Sequence, residues 1–436
     1  MINSTKTTKD FNKERQSQGK NVGIINLGCA RNLVDSQTIL SNLKRKGHRI
    51  VDFDDSEIAI VNTCAFIDEA KQESIDTIID LLELKKKGKI KKVIVAGCLA
   101  QRYHKELSEE FKGIDAIIGT QKLDRNDIPS SHLLTPKHFA YVKISESCYN
   151  KCSFCIIPKL KGKFVSRTIE SVLDEIKRLD QQGVVEINLI GQDITAYGMD
   201  LYHELSLAKL LKEIVKVTKN IQWIRLLYAF PAHVTDELID VMAREEKICK
   251  YIDIPLQHIS DHILTEMNRN ITRQGTIELM EKFRKQMPSG SLRTTFILGL
   301  PGETDQDFTD LVDFVSNTRF EKLGTFLYSK EEGTLAAGMP KQIPDKLKKQ
   351  RMNELMRIQQ TISQEIQENF IGRILKVLID EKQENEDNAY IGRSEYDAPD
   401  VDGVVFVRSQ KPLKAGEFVQ VKITDALAYD LSGEVI

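Results

Sequence analysis

Between residues 21 and 330, short β-branched runs return again and again, each followed by a stretch with helical apolar spacing. The first runs are "NVGIINLGC", "IAIVNTC", "KVIVAGC" and "DAIIGT", with "DSQTILSNLKRKG" and "DEAKQESIDTIIDLLELKKKG" between them. Such alternation predicts parallel strands in one sheet covered by helices. The strands of an open parallel sheet end along one edge, where these folds bind ligands. Cys29, Cys64 and Cys98 each stand just past the C-terminal end of a run, beside Gly28, Thr63 and Gly97. Free cysteine usually behaves as a small buried hydrophobe. Three in the same strand-end position converge in space and read better as a metal site.

From about 137 to 330 the alternation resumes with longer helices. Strands are expected at "AYVKIS", "VVEINLIG", "QWIRLLYAF", "YIDIPL", "LRTTFILG" and "KLGTFLYS". Six strand–helix units are fewer than the eight of a closed barrel, so an open, partial (β/α)6 barrel is expected, with its chemistry at the strand C-termini. "SESCYNKCSFC" follows the first strand directly and carries Cys148, Cys152 and Cys155 in C-x-x-x-C-x-x-C spacing with no fourth cysteine. A structural zinc site is closed by four ligands. A four-iron cluster held by three thiolates keeps one iron open to a small molecule.

Length and composition limit what else the chain can be. At 436 residues it exceeds one core and predicts two or three domains. The polar residues 1–20 lack the apolar region of a signal peptide and read as a disordered leader. No apolar run is long enough for a membrane span. A cytoplasmic protein is expected, and there clustered cysteines bind metal or do chemistry rather than form bridges. The formal net charge of -2 gives no global attraction to nucleic acid or anionic lipid. After a long helical stretch at 344–370, residues 371–436 alternate in strand fashion with frequent turn signals, as in a small antiparallel β-barrel of about five strands. That tail has 8 Lys and Arg against 13 Asp and Glu, a net of -5. Such a balance predicts repulsion of RNA and attraction of a basic protein.

The barrel cysteine spacing resembles the signature of the radical S-adenosylmethionine (SAM) superfamily. "LGCARNLVDSQ", "NTCAFIDEAKQESID" and "AGCLAQRY" resemble the amino-terminal domain of the methylthiotransferases, and the tail resembles the TRAM domain that closes them. The resemblance implies an amino-terminal α/β domain at 21–136, a radical SAM partial barrel with linker helix at 137–370 and a TRAM β-barrel, OB-like, at 371–436. It also implies two 4Fe-4S clusters, the barrel trio generating a radical from SAM and the upstream trio handling sulfur. One SAM supplies the radical and a second the methyl group, so that C–H becomes C–S–CH3. Tyr149 and Phe154 are then expected to shield the barrel cluster and pack on adenine. By position, Gln192, Gln257, Arg269 and Arg293 are the candidates to contact SAM, since arginine pairs well with a carboxylate. Gly299 and Gly302 in "GLPGET" read as backbone-clearance positions, His258 as a core histidine and Cys249 as simply buried.

Within the family, "NLVDSQ", "YIDIPLQHISD" and "SEYDAPDVDG" resemble the branch that modifies an aspartate in protein S12 of the small ribosomal subunit, although Gln37 stands where that branch usually has Glu. The implied partners are S12, free or in the assembled subunit, and an external electron donor of flavodoxin or ferredoxin type. Modification of tRNA adenosine by the sister branch is the first alternative. A ribosome-associated iron–sulfur protein without insertion chemistry is the second.

Overall fold

The computed structural model describes residues 19–65, 67–126, 133–384 and 386–436. The expected leader lies outside the described residues apart from Gly19 and Lys20. The chain divides into two compact units, one up to Gln121 and the other running from Leu133 to Ile436.

The first unit is built on five parallel strands: β1 (Asn21–Asn26), β2 (Arg49–Ile50), β3 (Ile58–Thr63), β4 (Lys92–Gly97) and β5 (Ala116–Ile118), in the order β2-β1-β3-β4-β5. All of β3 is buried. One set of apolar side chains, around Val61, Ile78, Leu81 and Val95, packs on one face, and a smaller set around Val22, Ile60 and Ala96 packs on the other. Both faces are therefore covered, as a parallel sheet requires. The chain leaves β1 toward β2 and returns on the far side at β3. The crevice between the C-terminal ends of β1 and β3 is thus the topological switch point of the sheet.

In the second unit, β6 (Phe139–Lys143) is followed by a short antiparallel pair, β7 (Ser145–Glu146) with β8 (Val165–Ser166), which ties together the two ends of the cysteine loop. Then come β9 (Glu186–Ile190), β10 (Trp223–Leu226), β11 (Ile248–Asp253), β12 (Ser291–Leu298) and β13 (Lys322–Leu327). Together with β6 they make a parallel sheet in sequential order, with β6 and β13 at its two edges. This is the expected open six-strand barrel. Helices pack on its outer face against Ala140, Val142, Ile187, Leu189, Ile224, Leu226, Ile252 and Leu292. Four of them are set by side-chain caps: Thr168, Thr235 and Thr272 accept from Ser171 N, Leu238 N and Gly275 N, and Thr304 with Asp307 forms a capping box before Asp305–Thr318. Because side chains alternate along a strand, the intervening residues Tyr141, Glu186, Asn188, Arg225, Tyr251 and Arg293 face the barrel interior.

The linker helix Asp345–Glu368 buries Leu355 and Ile362, but also Arg351, Gln359 and Gln367 at helical spacing. The polar members bind specific acceptors: Arg351 pairs with Glu303 at 2.6 Å, Gln359 donates to Phe320 O and Gln367 to Tyr429 O. After it, β14 (Ile374–Lys382), β15 (Ala389–Ser394), β16 (Val405–Arg408), β17 (Phe418–Ala426) and β18 (Leu431–Val435) close a five-strand barrel. Four pairings are antiparallel and β16–β18 is parallel. A ring with an odd number of strands cannot alternate direction all the way round, so one parallel pair is a condition of closure.

The loop between β15 and β16, carrying "EYDAPDVDG", enters the interior of the large barrel among the N-terminal halves of its strands. Asp397 pairs with Lys322 at 2.7 Å, Asp400 accepts from the Tyr141 hydroxyl at 2.8 Å, and Asp402 accepts from the Tyr251 hydroxyl at 2.7 Å and from Arg293 Nε at 3.3 Å. Arg225 donates to Glu395 O at 2.6 Å, and Arg393 of β15 reaches the fully buried Glu186 at 2.7 Å. Asp397 and Asp402 are among the acids paired inside the molecule, while the tail's exposed acids are nearly matched by its exposed Lys and Arg, so its net charge does not describe an outward acidic face. The attraction of a basic partner expected from the tail's net charge therefore has no acidic face behind it.

Candidate functional site

At the switch point of the first unit, the three upstream cysteines stand at the ends of adjacent strands. Cys29 caps the helix Ala30–Arg45 after β1, Cys64 follows β3, and Cys98 opens the helix after β4. Gly28, at φ +93°, lies so close that a Cβ there would sit 2.9 Å from Cys64 Cβ and 3.1 Å from its Sγ. Gly97, at φ +96°, leaves only 2.4 Å between such a Cβ and Asn62 Oδ1. Only glycine fits either position. Asn32 staples the strand ends: its Nδ2 donates to Leu27 O at 2.9 Å and Thr63 O at 3.0 Å, its backbone O accepts from Asn62 at 2.8 Å, and Oδ1 lies 4.0 Å from Cys98 Sγ. Burial pushes the Cys29 thiol up, but the Arg31 charge and the helix N–H groups outweigh it and hold the thiol below its ordinary value. That favours the thiolate, which is the form that binds metal.

At the mouth of the large barrel, three backbones adopt left-handed conformations without glycine: Ser147 (φ 65°), Tyr228 (φ 69°) and Gln257 (φ 73°), each beyond the end of a strand. Such strain persists where surrounding structure enforces it, and it gathers at functional sites. Cys148, Cys152 and Cys155 lie in the loop after β7, all partly exposed. Burial, with Asp193 and the neighbouring thiols adding repulsion, pushes the Cys148 thiol up to about 12. A bound cation would reverse that balance. Asn150 bridges the loop to the barrel, with Nδ2 3.7 Å from Cys148 Sγ and 2.7 Å from Asp193 Oδ2. The same carboxylate oxygen takes His233 Nδ1 at 2.8 Å. Arg269 lies 3.8 Å from Cys152 Sγ, donates to Pro255 O at 2.7 Å and stacks 4.3 Å over the Phe230 ring.

The other expected residues divide. Gln192 donates to Glu146 Oε1 at 3.1 Å, and Gln257 is pinned to β12 through Thr295 O and Ile297 N. Both amide oxygens are buried without a partner, as is Arg269 Nε. Asn188, one layer deeper on β9, has neither amide atom paired. Unpaired buried polar atoms cost roughly 1–3 kcal/mol each, a cost that a polar ligand bound among them would relieve. The donor set therefore fits a three-thiolate cluster with a small polar cofactor beside it. Among the described residues no three Cys, His, Asp or Glu side chains close on a single ion.

Tyr149 is 48% exposed and meets Phe164 and His233 edge-on, while Phe154 packs into an apolar set with Ile263, Met267, Leu300 and Tyr328. Arg293 lies at the third position of β12, paired with Asp253 and Asp402 rather than at the strand end. His258 is fully buried and accepts from Ser260 N; burial pushes it down to about 4. Cys249 is buried on β11. Sequence reasoning missed Asn150, Asp193 and His233. Asn150 sits inside the cysteine motif and Asp193 beside Gln192, so proximity to named residues was the available signal.

An open six-strand barrel with this thiol loop, joined to a second thiol site and a small tail barrel, defines a radical SAM enzyme of composite architecture. The chain matches the radical SAM superfamily over residues 142–315, the uncharacterized protein family UPF0004 over 21–119 and the TRAM domain over 371–436. It is 45% identical over 440 residues to the ribosomal protein uS12 methylthiotransferase RimO of Clostridioides difficile (strain 630), covering 95% of this chain and 98% of the relative. The RimO proteins of Thermoanaerobacter sp. (strain X514) and Caldanaerobacter subterraneus are 47% and 48% identical, each covering 95% of this chain and 100% of the relative. The chain belongs to the RimO family. Among solved structures, the radical SAM methyltransferase TsrM from Kitasatospora setae shares the fold, with a TM-score of 0.55 at 14% identity over 85% of this chain and 79% of that one.

Proposed function

We propose that this protein replaces a hydrogen on the β-carbon of an aspartate in ribosomal protein uS12 with a methylthio group. It does so with two 4Fe-4S clusters and with SAM serving both as radical source and as methyl donor. The observation that carries the reading is near-full-length identity to proteins named for that activity, in a chain whose two cysteine trios each lie at strand C-termini. The tail's charge lends it no support.

Cys148, Cys152 and Cys155 would hold one cluster, and Cys29, Cys64 and Cys98 the other. Held by the barrel trio, a four-iron cluster would supply the electron for reductive cleavage of SAM and so the radical chemistry that an unactivated C–H bond requires. The protein's part is placement. Asp193 fixes Asn150 and with it the cysteine loop, and Arg269 sets a positive charge against Cys152. Gln192, Gln257 and Arg269 offer unpaired polar atoms to the cofactor, while the apolar packing of Phe154 keeps water from that side. An external reductant of flavodoxin or ferredoxin type completes the cycle.

Mass spectrometry of uS12 peptides and of tRNA nucleosides, from cells with and without the gene, tests the reading. A methylthio increment on a uS12 aspartate that vanishes with the gene is expected. Loss of a methylthio adenosine, with the peptide unchanged, would overturn the substrate and keep the chemistry.

A further inference from the structure

The tail loop that enters the large barrel does more than fill it. Asp402 Oδ2 accepts from the Tyr251 hydroxyl and from Ala398 N at 2.9 Å, which fixes the carboxylate, and its Oδ1 meets Arg293 Nε at 3.3 Å. The other side of the Arg293 guanidinium holds Asp253 Oδ1 at 2.8 Å. Asp253 is the last residue of β11 and is almost completely buried; its Oδ2 accepts the backbone N–H of Tyr228 at 3.0 Å, and its backbone O accepts from Ala229 N at 2.8 Å. Those bonds hold the left-handed Tyr228 and the turn that presents Phe230. On its own strand, Asp253 leads through Ile254, whose N–H donates to Arg293 O at 2.8 Å, to Pro255 and Gln257. Phe230 and Pro255 are the two surfaces that seat Arg269 beside Cys152. One carboxylate in the C-terminal domain is thereby connected, through one arginine and one buried aspartate, to both turns that frame the thiol loop.

We infer that Asp402 is a positioning residue for the SAM site. It locks the Arg293–Asp253 pair so that the turns at 228–230 and 254–257 hold Arg269 and Gln257 in place for the cofactor. This rests on the cofactor assignment above. It gives the "SEYDAPDVDG" segment a role in the barrel's own chemistry. Without Asp402 the guanidinium is held on one side only, and Asp253 loses the fixed partner that sets its grip on Tyr228 N. Asp397 is the internal control: it makes a comparable buried pair with Lys322 from the same loop, at 2.7 Å, and although Lys322 lies beside Arg293 in the β12–β13 register, its ammonium is paired with Asp397 and not with Asp253 or Asp402.

The test is SAM binding to the reconstituted full-length protein, read by equilibrium dialysis and by the change SAM causes in the electron paramagnetic resonance spectrum of the reduced barrel cluster. Asp402→Ala is expected to weaken SAM binding roughly tenfold and to alter that spectrum, with iron content unchanged. Asp397→Ala is expected to leave affinity within about twofold, and Asp402→Asn, which keeps an acceptor for Tyr251, to recover part of the loss. Equal losses in the Asp397 and Asp402 variants, or no loss in Asp402→Ala, would overturn the inference. If Asp402→Ala does not fold, the Asn variant compared with Asp397→Asn carries the same decision. Failure of the unaltered protein to bind SAM would sink the cofactor assignment itself, a result recognisable before any variant is made.

Discussion

The two cysteine trios reach similar arrangements by opposite routes. In the barrel, a single loop bounded by β7 and β8 supplies all three thiols, and side chains from distant loops, Asp193 and Arg269, close around it. In the first unit the thiols come from three strands, and what brings them together is the backbone: two left-handed glycines and the Asn32 staple. The difference teaches where each site is fragile. The barrel site depends on side chains that can be exchanged one at a time, whereas the switch-point site depends on close packing that tolerates no added atom.

The strongest way to break this comparison is to remove a thiol from each site. Cys152→Ala is expected to abolish reductive cleavage of SAM and to remove roughly half of the bound iron; cleavage that persists would contradict the assignment of the radical site. Cys64→Ala should also lose about half of the iron yet retain SAM cleavage within about twofold, while methylthiolated peptide disappears. Measuring deoxyadenosine and peptide product in one reaction separates the two phenotypes.

A smaller effect locates acid sensitivity in the barrel. His258 is buried neutral, pushed from an ordinary 6.5 down to about 4. Between those values the unfolded chain binds a proton that the folded one refuses, so stability falls as pH drops from 6.5 toward 4, by on the order of 3 kcal/mol. Glu303, 3.9 Å away and raised by burial, titrates in the opposite sense, so the histidine's share is read as a difference between two proteins. His258→Asn, which keeps an acceptor for Ser260 N, should flatten the denaturation profile across that window. An unchanged profile would show that the site is hydrated.

Smallest in free energy are the switch-point changes, and they sharpen the comparison most. Gly28→Ala places a Cβ against Cys64 at a positive φ and is expected to cost roughly 1–3 kcal/mol, with iron lost from the first unit only. Asn32→Ala unpairs Leu27 O and Thr63 O, for a cost of about 1–3 kcal/mol. Iron analysis on the Cys152→Ala background, where only the switch-point cluster remains, reads both directly. Gly191, whose φ is not positive and whose added Cβ would crowd the Ser145 hydroxyl at 2.6 Å, with Ile194 Cγ2 next at 3.4 Å, should tolerate alanine better.

The strands and the six cysteines were legible because both are local signals: β-branched runs with turn residues, and thiols at fixed offsets from them. The composition of the barrel interior was not. Tyr141, Glu186, Arg225 and Arg293 sit within apolar runs, and nothing in their spacing says that β15 and the loop after it, more than a hundred residues later in the chain, supply partners for them. For the same reason, the pairing of Arg293 with Asp253 and Asp402 was not legible, and the tail's acids looked like a docking face. The linker helix was legible only as a helical stretch: besides Leu355 and Ile362 it buries Arg351 and Gln359, because Glu303 and Phe320 O lie where their side chains reach.

By itself, the sequence determined the parallel sheets, the edge on which the thiols fall and the open coordination that three cysteines leave. Those follow from periodicity and short-range spacing, which a chain carries in itself. Tertiary structure decided which buried polar groups found partners and which were left for a ligand, since desolvation and ion pairing depend on what lies across the fold. It thereby decided that Gln192 Oε1, Gln257 Oε1 and Arg269 Nε lack a protein partner while both carboxylate oxygens of Asp402 have one.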